Sequence, residues 1–360
     1  MIQKIWFTLV WSYLKLGLFF YSKKITVLGR ENVPKKGAVL FAVNHPNALL
    51  DPLYVTTTNK RHNHFLVRAA SFKKPFIKKI LESLYLLPIY RIRDGIQQLA
   101  NNQEIFEKCH TILKNGKTLM IFPEGTHEKK RSIRPLSKGF TRIVFGALEK
   151  YKDLEITIIP VGITYQHSSH FPAKVTVNYG KPITTRTIFE ANPLAKAINI
   201  LKAKVSDQLE KLSVHISDDS NYETILQKLN DAQVDFTAVD SVNEMIKSNA
   251  FPAKKSPKKN YLKPLLYLII MNSLIPFLLW KKASKKIDEI EFIDTFRFSL
   301  NAILCCIFYC LQAWALSLYL DHTIGLFYFT ISALIVLVYV KLAPTNTKKH
   351  KEFIALGKQA

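Results

Sequence analysis

Residues 298–320 carry no charge over 23 positions, and only Asp321 and His322 separate them from 18 more uncharged residues, 323–340. An α-helix rises about 1.5 Å per residue, so each run approaches or exceeds the roughly 30 Å of a hydrocarbon core. A two-residue break leaves no room for a loop, so the runs read as a transmembrane hairpin with both ends on one side. Lys341 and a basic tail with Lys348, Lys349 and Lys351 follow, which marks that side as cytoplasmic. The chain is expected to be an integral membrane protein whose preceding residues lie on the cytoplasmic face.

The charge pattern agrees. The 360 residues hold 51 Lys and Arg against 27 Asp and Glu, a net charge of +24. Nucleic acid or an anionic membrane surface would each explain such an excess. Position favours the membrane. Lys254, Lys255, Lys258, Lys259 and Lys263 precede the uncharged segment 264–280, and Lys281, Lys282, Lys285 and Lys286 follow it. Polybasic strips beside apolar segments attract anionic lipid, and no Arg/aromatic nucleic-acid module is recognisable. Segment 264–280 has only 17 residues, is interrupted by Pro276 and has lysines at both ends. It reads as interfacial or re-entrant rather than spanning. Residues 2–22 are apolar and aromatic but are interrupted by Lys4 and Lys15, which suits a helix lying in the interface.

Between these membrane segments the pattern changes. Residues 25–28, 38–43, 65–67, 118–122, 156–163 and 174–179 are short and β-rich, whereas 95–114 and 138–151 have helical periodicity. Strands alternating with helices imply an α/β fold, a sheet flanked by helices. Residues 195–214 and 221–248 read as two charged amphipathic helices without a chemical signature. The expected organisation is an interfacial helix (1–24), an α/β domain (25–215), a helical appendage with basic linker (216–260), a membrane region (261–345) and a basic tail (346–360).

Two blocks carry chemistry. Asn44-His45-Pro46-Asn47-Ala48-Leu49-Leu50-Asp51 follows the strand at 38–43, and Phe122-Pro123-Glu124-Gly125-Thr126 ends the strand at 118–122. In open α/β sheets ligands bind at the carboxyl ends of strands, so a histidine and two acids arriving there suggest a reaction site. His45 and Asp51 are six residues apart, about 240° around a regular helix, and cannot touch within one. Pro46 suits a first helical turn, which would leave His45 before the helix with room for a bulge. His62, His64 and His127 read as exposed. His167 and His170 lack an accompanying carboxylate or cysteine set, so no metal site is expected. Cys109, Cys305, Cys306 and Cys310 have no metal-ligand or disulfide pattern and read as buried thiols.

Two further blocks complete an ordered set: Leu87-Pro88-Ile89-Tyr90-Arg91-Ile92-Arg93-Asp94, and Ile159-Pro160-Val161-Gly162-Ile163 followed by Tyr179-Gly180-Lys181-Pro182. Over about residues 25–185 the set resembles the glycerolipid O-acyltransferase family, the PlsC-like enzymes. The extra residue between His45 and Asp51 is similar to a glycerol-3-phosphate or dihydroxyacetone-phosphate acyltransferase branch. The resemblance implies a glycerolipid-acyltransferase-like sheet with His45 as general base and Asp51 as its orienting acid. It implies Arg91, with Arg93, as phosphate ligands, a role suited to the guanidinium fork. Glu124, Gly125 and Thr126 would shape the acceptor pocket, Lys138 would add positive potential, and Pro160 and Val161 are candidates for the acyl site. The implied reaction moves an acyl group from acyl-CoA or acyl carrier protein to glycerol 3-phosphate or 1-acylglycerol 3-phosphate. It needs no metal or prosthetic group, and membrane lipids and the thioester carrier are the expected partners. The oligomeric state stays open.

Three other readings stand beside this one. The acceptor is another lysolipid or an aminolipid. The histidine activates water in a lipid hydrolase, although no Gly-x-Ser-x-Gly elbow is present. Or the chain is a scaffold whose basic face binds anionic lipid, which the lysines fit and the histidine block does not require.

Overall fold

A computed structural model describes residues 2–90, 97, 100 and 102–345. In chain order the elements are α1 (Ile2–Tyr21), β1 (Ser22–Leu28), β2 (Ala38–Val43), α2 (Leu50–Thr58), β3 (Asn63–Arg68), α3 (Pro75–Ser83), β4 (Leu86–Ile89), α4 (Asn102–Lys114), β5 (Thr118–Ile121) and α5 (Gly139–Lys150). There follow β6 (Ile156–Tyr165), β7 (Ala173–Tyr179), β8 (Ile183–Thr184), α6 (Arg186–Glu190), α7 (Leu194–Leu212), α8 (Tyr222–Asp231) and α9 (Val239–Lys247). The membrane region holds α10 (Lys263–Asn272), α11 (Leu274–Ser284), α12 (Phe292–Tyr319) and α13 (His322–Leu342).

The strands form one sheet in the order β1-β7-β6-β2-β5-β3-β4, with β8 added to β6. Strand β2 lies at its centre and all six of its residues are buried, as expected where helices cover both faces of a parallel sheet. Side chains alternate across a strand. Leu40 and Ala42 therefore join the core under α4, α5 and α7, while Val39, Phe41 and Val43 join the core under α1 and α2. Strands β2, β3, β4, β5 and β6 run parallel through their pairings, so their carboxyl ends share one edge. Strands β7 and β8 pair antiparallel with β6, and β1 runs parallel to β7.

Strand β4 escapes sequence reading because it is four residues long and contains Pro88, which an edge strand tolerates. Pro160 sits inside β6, between Ile158, the last residue paired with β8, and Val161, the first paired with β7. Its missing N–H falls in that gap. Gly162 is fixed by the close approach of α7, since a Cβ there would stand 2.2 Å from Leu212 O.

The expected single helix over 221–248 is two helices. Gln233 takes φ 50°, and Asp235 Oδ1 accepts from Thr237 N at 3.1 Å, turning the chain between them. This appendage has its own small core, around Ile216, Leu229, Phe236 and Val242.

In the membrane region α12 and α13 are long and apolar enough to cross a bilayer, and α10 and α11 are bent 95° to one another. That bend fits a re-entrant segment, but it lies at Ser273 rather than at Pro276. Pro276 occupies the first turn of α11, where its missing N–H costs no helical bond. Several polar groups at the bend pair with one another, as a membrane interior favours. Ser273 Oγ and Tyr309 OH are 2.6 Å apart, Asn272 Nδ2 donates to Ser332 Oγ at 3.0 Å, and Gln312 Nε2 donates to Asn272 O at 3.3 Å. Helix α1 exposes Ile2, Ile5, Trp6, Leu9, Tyr13 and Leu16 and buries Phe7, Leu18 and Tyr21, consistent with one face toward lipid. Of the cysteines expected to be buried, Cys109 is, Cys305 is partly so, and Cys306 and Cys310 are on the outside of α12.

Candidate active site

Strand β2 ends at Val43, and Asn44 prolongs its ladder with a side chain. Asn44 Nδ2 donates to Ile163 O at 3.1 Å, and Ile163 N donates to Asn44 Oδ1 at 2.7 Å. His45 therefore leaves the sheet in a fixed direction. Helix α2 does not begin at Pro46, as the proline suggests, but at Leu50. Residues 46–49 form a turn in which Leu50 N donates to Asn47 O at 3.1 Å and Ala48 takes φ 34°. The extra residue of the block is absorbed in that turn.

The turn brings His45 and Asp51 together. His45 Nδ1 and Asp51 Oδ2 are 2.8 Å apart, with the histidine side chain 16% exposed and the carboxylate 0%. Asp51 Oδ2 also accepts from Asn47 N at 2.7 Å, and Oδ1 accepts from Tyr165 OH at 2.7 Å. Asp51 lies in the first turn of α2, where the helix dipole favours negative charge. Burial, then the Asp51 charge, pushes the Tyr165 hydroxyl well above its ordinary pKa, so it stays a donor. With Nδ1–H given to Asp51, the lone pair of a neutral imidazole is on Nε2. The ring stacks on Phe122, centroids 3.9 Å apart at 21°.

Glu124 acts from below this pair. Its Oε1 accepts from His45 N at 3.2 Å, and its Oε2 accepts from Arg134 Nε at 2.8 Å. The carboxylate is 4% exposed. Arg134 also donates to the side chain and carbonyl of Thr126. Gly125 takes φ 76°, so the chain turns tightly there. Glu124 and Thr126 thus hold the loop against His45, and their polar atoms face Arg134. The loop's far side is pinned by the appendage: Arg131 N donates to Tyr222 OH at 2.8 Å, and Ile216 N donates to Arg131 O at 2.8 Å.

Lys138 is exposed immediately before α5, in a segment held to the same loop by Ser137 N donating to Pro123 O at 2.8 Å. Pro160 and Val161 are buried within β6, and Val161 belongs to the core under α1 and α2. They support the sheet, and they do not line the large apolar cavity of the membrane region. Arg91 and Arg93 lie outside the described residues. The chain enters that stretch from the carboxyl end of β4, where Asn102 clamps Tyr90 on both its N–H (3.0 Å) and its carbonyl (2.8 Å).

Two histidines differ from expectation. His64 is buried in β3 with Nδ1 3.2 Å from Thr118 O. His127 is partly buried beside the site, with its ring centroid 5.6 Å from that of His45 and Nε2 2.8 Å from Glu289 Oε2. His127, Glu289 and Glu291 bring possible metal-ligand atoms within 4.8 Å of one another. His127 and Glu289 already meet through a hydrogen bond.

Sequence reading passed over Tyr165, Arg134 and, most of all, Asp294 near the start of α12. Asp294 is fully buried and accepts from Tyr21 OH at 2.8 Å, Arg297 Nη1 at 3.0 Å and Asn47 Nδ2 at 3.3 Å. Leu49 N donates to Thr295 Oγ1 at 3.2 Å. An acid on a membrane-entering helix is itself a signal, because such groups are costly unless paired.

Residues 24–164 match the model of the family described as Acyltransferase. The chain carries an acyltransferase domain of the PlsC type. Among curated relatives, glycerol-3-phosphate O-acyltransferase 1 of Saccharomyces cerevisiae is 28% identical over 142 residues, 38% of this chain and 18% of that one. A 1-acyl-sn-glycerol-3-phosphate acyltransferase of Borreliella burgdorferi is 26% identical over 174 residues, 48% of this chain and 64% of that one. The chain thus spans less than two thirds of the length of either relative. The solved 1-acyl-sn-glycerophosphate acyltransferase PlsC of Thermotoga maritima aligns with a TM-score of 0.44 at 18% identity, over 60% of this chain and 83% of that one. The acyltransferase domain holds His45, Asp51 and Glu124, whereas Asp294 and Thr295 lie beyond residue 164 and reach back to it.

Proposed function

We propose that the chain transfers a fatty acyl group from a thioester, acyl-CoA or acyl carrier protein, to a hydroxyl of a glycerophosphate at the membrane surface. The observation that carries this reading is the 2.8 Å His45–Asp51 contact, which leaves Nε2 as base at the carboxyl edge of the sheet. Nε2 takes the proton as the alcohol oxygen attacks the thioester carbonyl. Asp51 holds the tautomer and stabilises the imidazolium, as the acid of a serine-hydrolase triad does. The tetrahedral intermediate then breaks its C–S bond, and the imidazolium returns the proton to the departing thiolate. The products are an ester and a free thiol, and no metal or protein nucleophile enters.

In this reading Arg91 and Arg93 bind the phosphate, and Lys138 adds positive potential from the adjoining loop. The lysines around α10, α11 and the end of α13 hold the domain at an anionic, cytoplasmic face. The test offers labelled acyl-CoA or acyl carrier protein with glycerol 3-phosphate and, separately, with 1-acylglycerol 3-phosphate. Product that disappears in His45→Ala supports the reading. Absence of His45-dependent product with both acceptors overturns it.

A further inference from the structure

A large apolar space lies away from His45. A cavity of about 1280 Å³ opens between α1, α10, α11, α12 and α13. It exceeds the roughly 300–1,000 Å³ of small-molecule pockets. Most of its walls come from residues beyond the acyltransferase domain.

Its shape follows one stripe of α12. Phe298, Ala302, Cys305 and Tyr309 line it at the spacing that keeps residues on one helix face. From Arg297 to Tyr309 the rise is about 18 Å. One leaflet of a roughly 30 Å hydrocarbon core is about 15 Å deep. Phe329, Ala333 and Val336 of α13 face the same space, and Pro344 and Thr345 lie at its mouth. Along α12 the cavity is about as deep as one acyl chain is long.

Its two ends differ. Cys305, Tyr309 and Phe329 line the deep end. At the other end Lys254, Lys255 and Arg297 face a single acid, Asp231. Lys254 pairs with Asp231 at 3.4 Å, Arg297 pairs with Asp294, and Lys255 has no ion pair among the described residues. The basic end is also the end nearest the reaction site. Tyr21 and Arg297 line the cavity, and both bond Asp294, which holds Asn47 of the turn between His45 and Asp51.

We infer that this cavity binds the acyl chain of a single-chain, phosphate-bearing glycerolipid, 1-acylglycerol 3-phosphate, whose tail enters past the Lys254, Lys255 and Arg297 end. The inference rests on the acyl-transfer reading and narrows it, because glycerol 3-phosphate has no chain to place there. Charge complementarity at the basic end favours an anionic lipid, and the apolar walls beyond it suit an acyl tail.

The test uses the full-length protein in detergent, without acyl donor, and 1-acylglycerol 3-phosphate carrying a diazirine near the end of its acyl chain. Labelling is expected on the cavity positions Cys305, Tyr309 and Ala333, to be displaced by unlabelled 1-acylglycerol 3-phosphate and not by glycerol 3-phosphate. Ala302→Trp and Ala333→Trp, each filling the cavity from a different helix, are expected to cut labelling about tenfold and raise KM for this acceptor by a similar factor. Leu334→Trp on the outer face of α13, where Leu334 is 51% exposed, is expected to leave both unchanged. Labelling spread equally over the outward residues Leu311, Trp314 and Leu318, or unaffected labelling in both filled variants that elute as folded protein, overturns the inference. His45→Ala separates the two readings. It is expected to label fully and transfer nothing. Transfer retained in His45→Ala overturns the catalytic reading alone, and His45-dependent transfer with no cavity labelling overturns the cavity alone.

Discussion

Asn47 Nδ2 donates to Asp294 Oδ2 at 3.3 Å, so the turn that sets His45 against Asp51 is tied to the first turn of a membrane helix. Asp294 also neutralises Arg297 at 3.0 Å with neither group well solvated. Removing one member of such a pair leaves a buried charge, at a cost of about 3–5 kcal/mol. Asp294→Ala is therefore expected to lower the thermal midpoint and the transfer rate together. The double variant Asp294→Asn/Arg297→Gln leaves no charge unpaired and is expected to be more stable than Asp294→Ala. A thermal scan of these variants and the unaltered protein in one detergent checks the order, and a double variant no more stable than Asp294→Ala would show that the unpaired Arg297 charge is not the source of the loss.

The orienting acid can be tested through its other partners. Asp51→Asn keeps the shape of the side chain but offers an N–H where His45 Nδ1–H needs an acceptor. An equivalent change in a serine-protease triad costs about 10⁴ in kcat, and a loss of at least about 10² is expected here. Tyr165→Phe removes one hydrogen bond to Asp51 and leaves the others, so it is expected to cost about tenfold or less. Its effect should fall on kcat rather than KM. Steady-state kinetics with a fixed acceptor separates the two.

Much of this site was legible in the chain, and the limits have physical causes. The α/β sheet is visible because β2, β5 and β6 are short, largely apolar runs, and the hairpin is visible because residues 298–320 and 323–340 lack charge. The His45–Asp51 pairing was readable as a need for a bulge, but the helix starts at Leu50 rather than at Pro46, because residues 46–49 turn at Ala48 and Asp51 accepts from Asn47 N. The role of Glu124 was hidden. Its carboxylate is occupied by Arg134, ten residues further on, and by the backbone of His45. No local pattern encodes that contact. Asp294 is 243 residues from Asp51, and only tertiary packing shows that an acid at a membrane boundary serves the turn.

Arg134 offers a sharper test of that hidden contact. It reaches Glu124 through Nε at 2.8 Å and Thr126 through both terminal nitrogens. A lysine is a point charge and cannot reproduce this fork. Arg134→Lys and Arg134→Met are expected to lose activity to a similar extent, about tenfold or more, since each leaves Glu124 to rotate away from His45 N. Full activity in Arg134→Lys would show that charge alone suffices.

Stability should also depend on acid through His64. Burial lowers its pKa from the ordinary 6.5 to about 4, outweighing the bond to Thr118 O that favours the charged form. The folded state therefore holds the ring neutral where the unfolded chain protonates it. Its contribution is present in full above pH 6.5, falls as pH drops through the window from 6.5 to about 4, and is gone below that. By pH 5 the loss is at most about 2 kcal/mol. His64→Asn keeps a donor for Thr118 O without a titrating ring, so its thermal midpoint is expected to fall less between pH 7 and pH 5 than that of the unaltered protein. Parallel curves would exclude His64 as the source.

Gly325 tests whether the hairpin packs as a unit. A Cβ at this position would stand 2.5 Å from Ala313 O, a backbone atom that cannot rotate aside, and 2.0 Å from Ser317 Oγ. Small residues let membrane helices approach closely, because apolar lipid supplies no hydrophobic drive between them. Gly325→Leu is expected to separate α12 from α13 and cost about 1–3 kcal/mol, read as a lower thermal midpoint in detergent. The neighbouring Leu326 is 67% exposed and makes no such contact, so Leu326→Ala is expected to change the midpoint little. Because α12 carries Asp294, the separation should also weaken the tie to Asn47. Transfer activity in Gly325→Leu is expected to fall at temperatures where the protein remains folded by circular dichroism, and a variant with lowered stability but full activity would show that the hairpin only anchors.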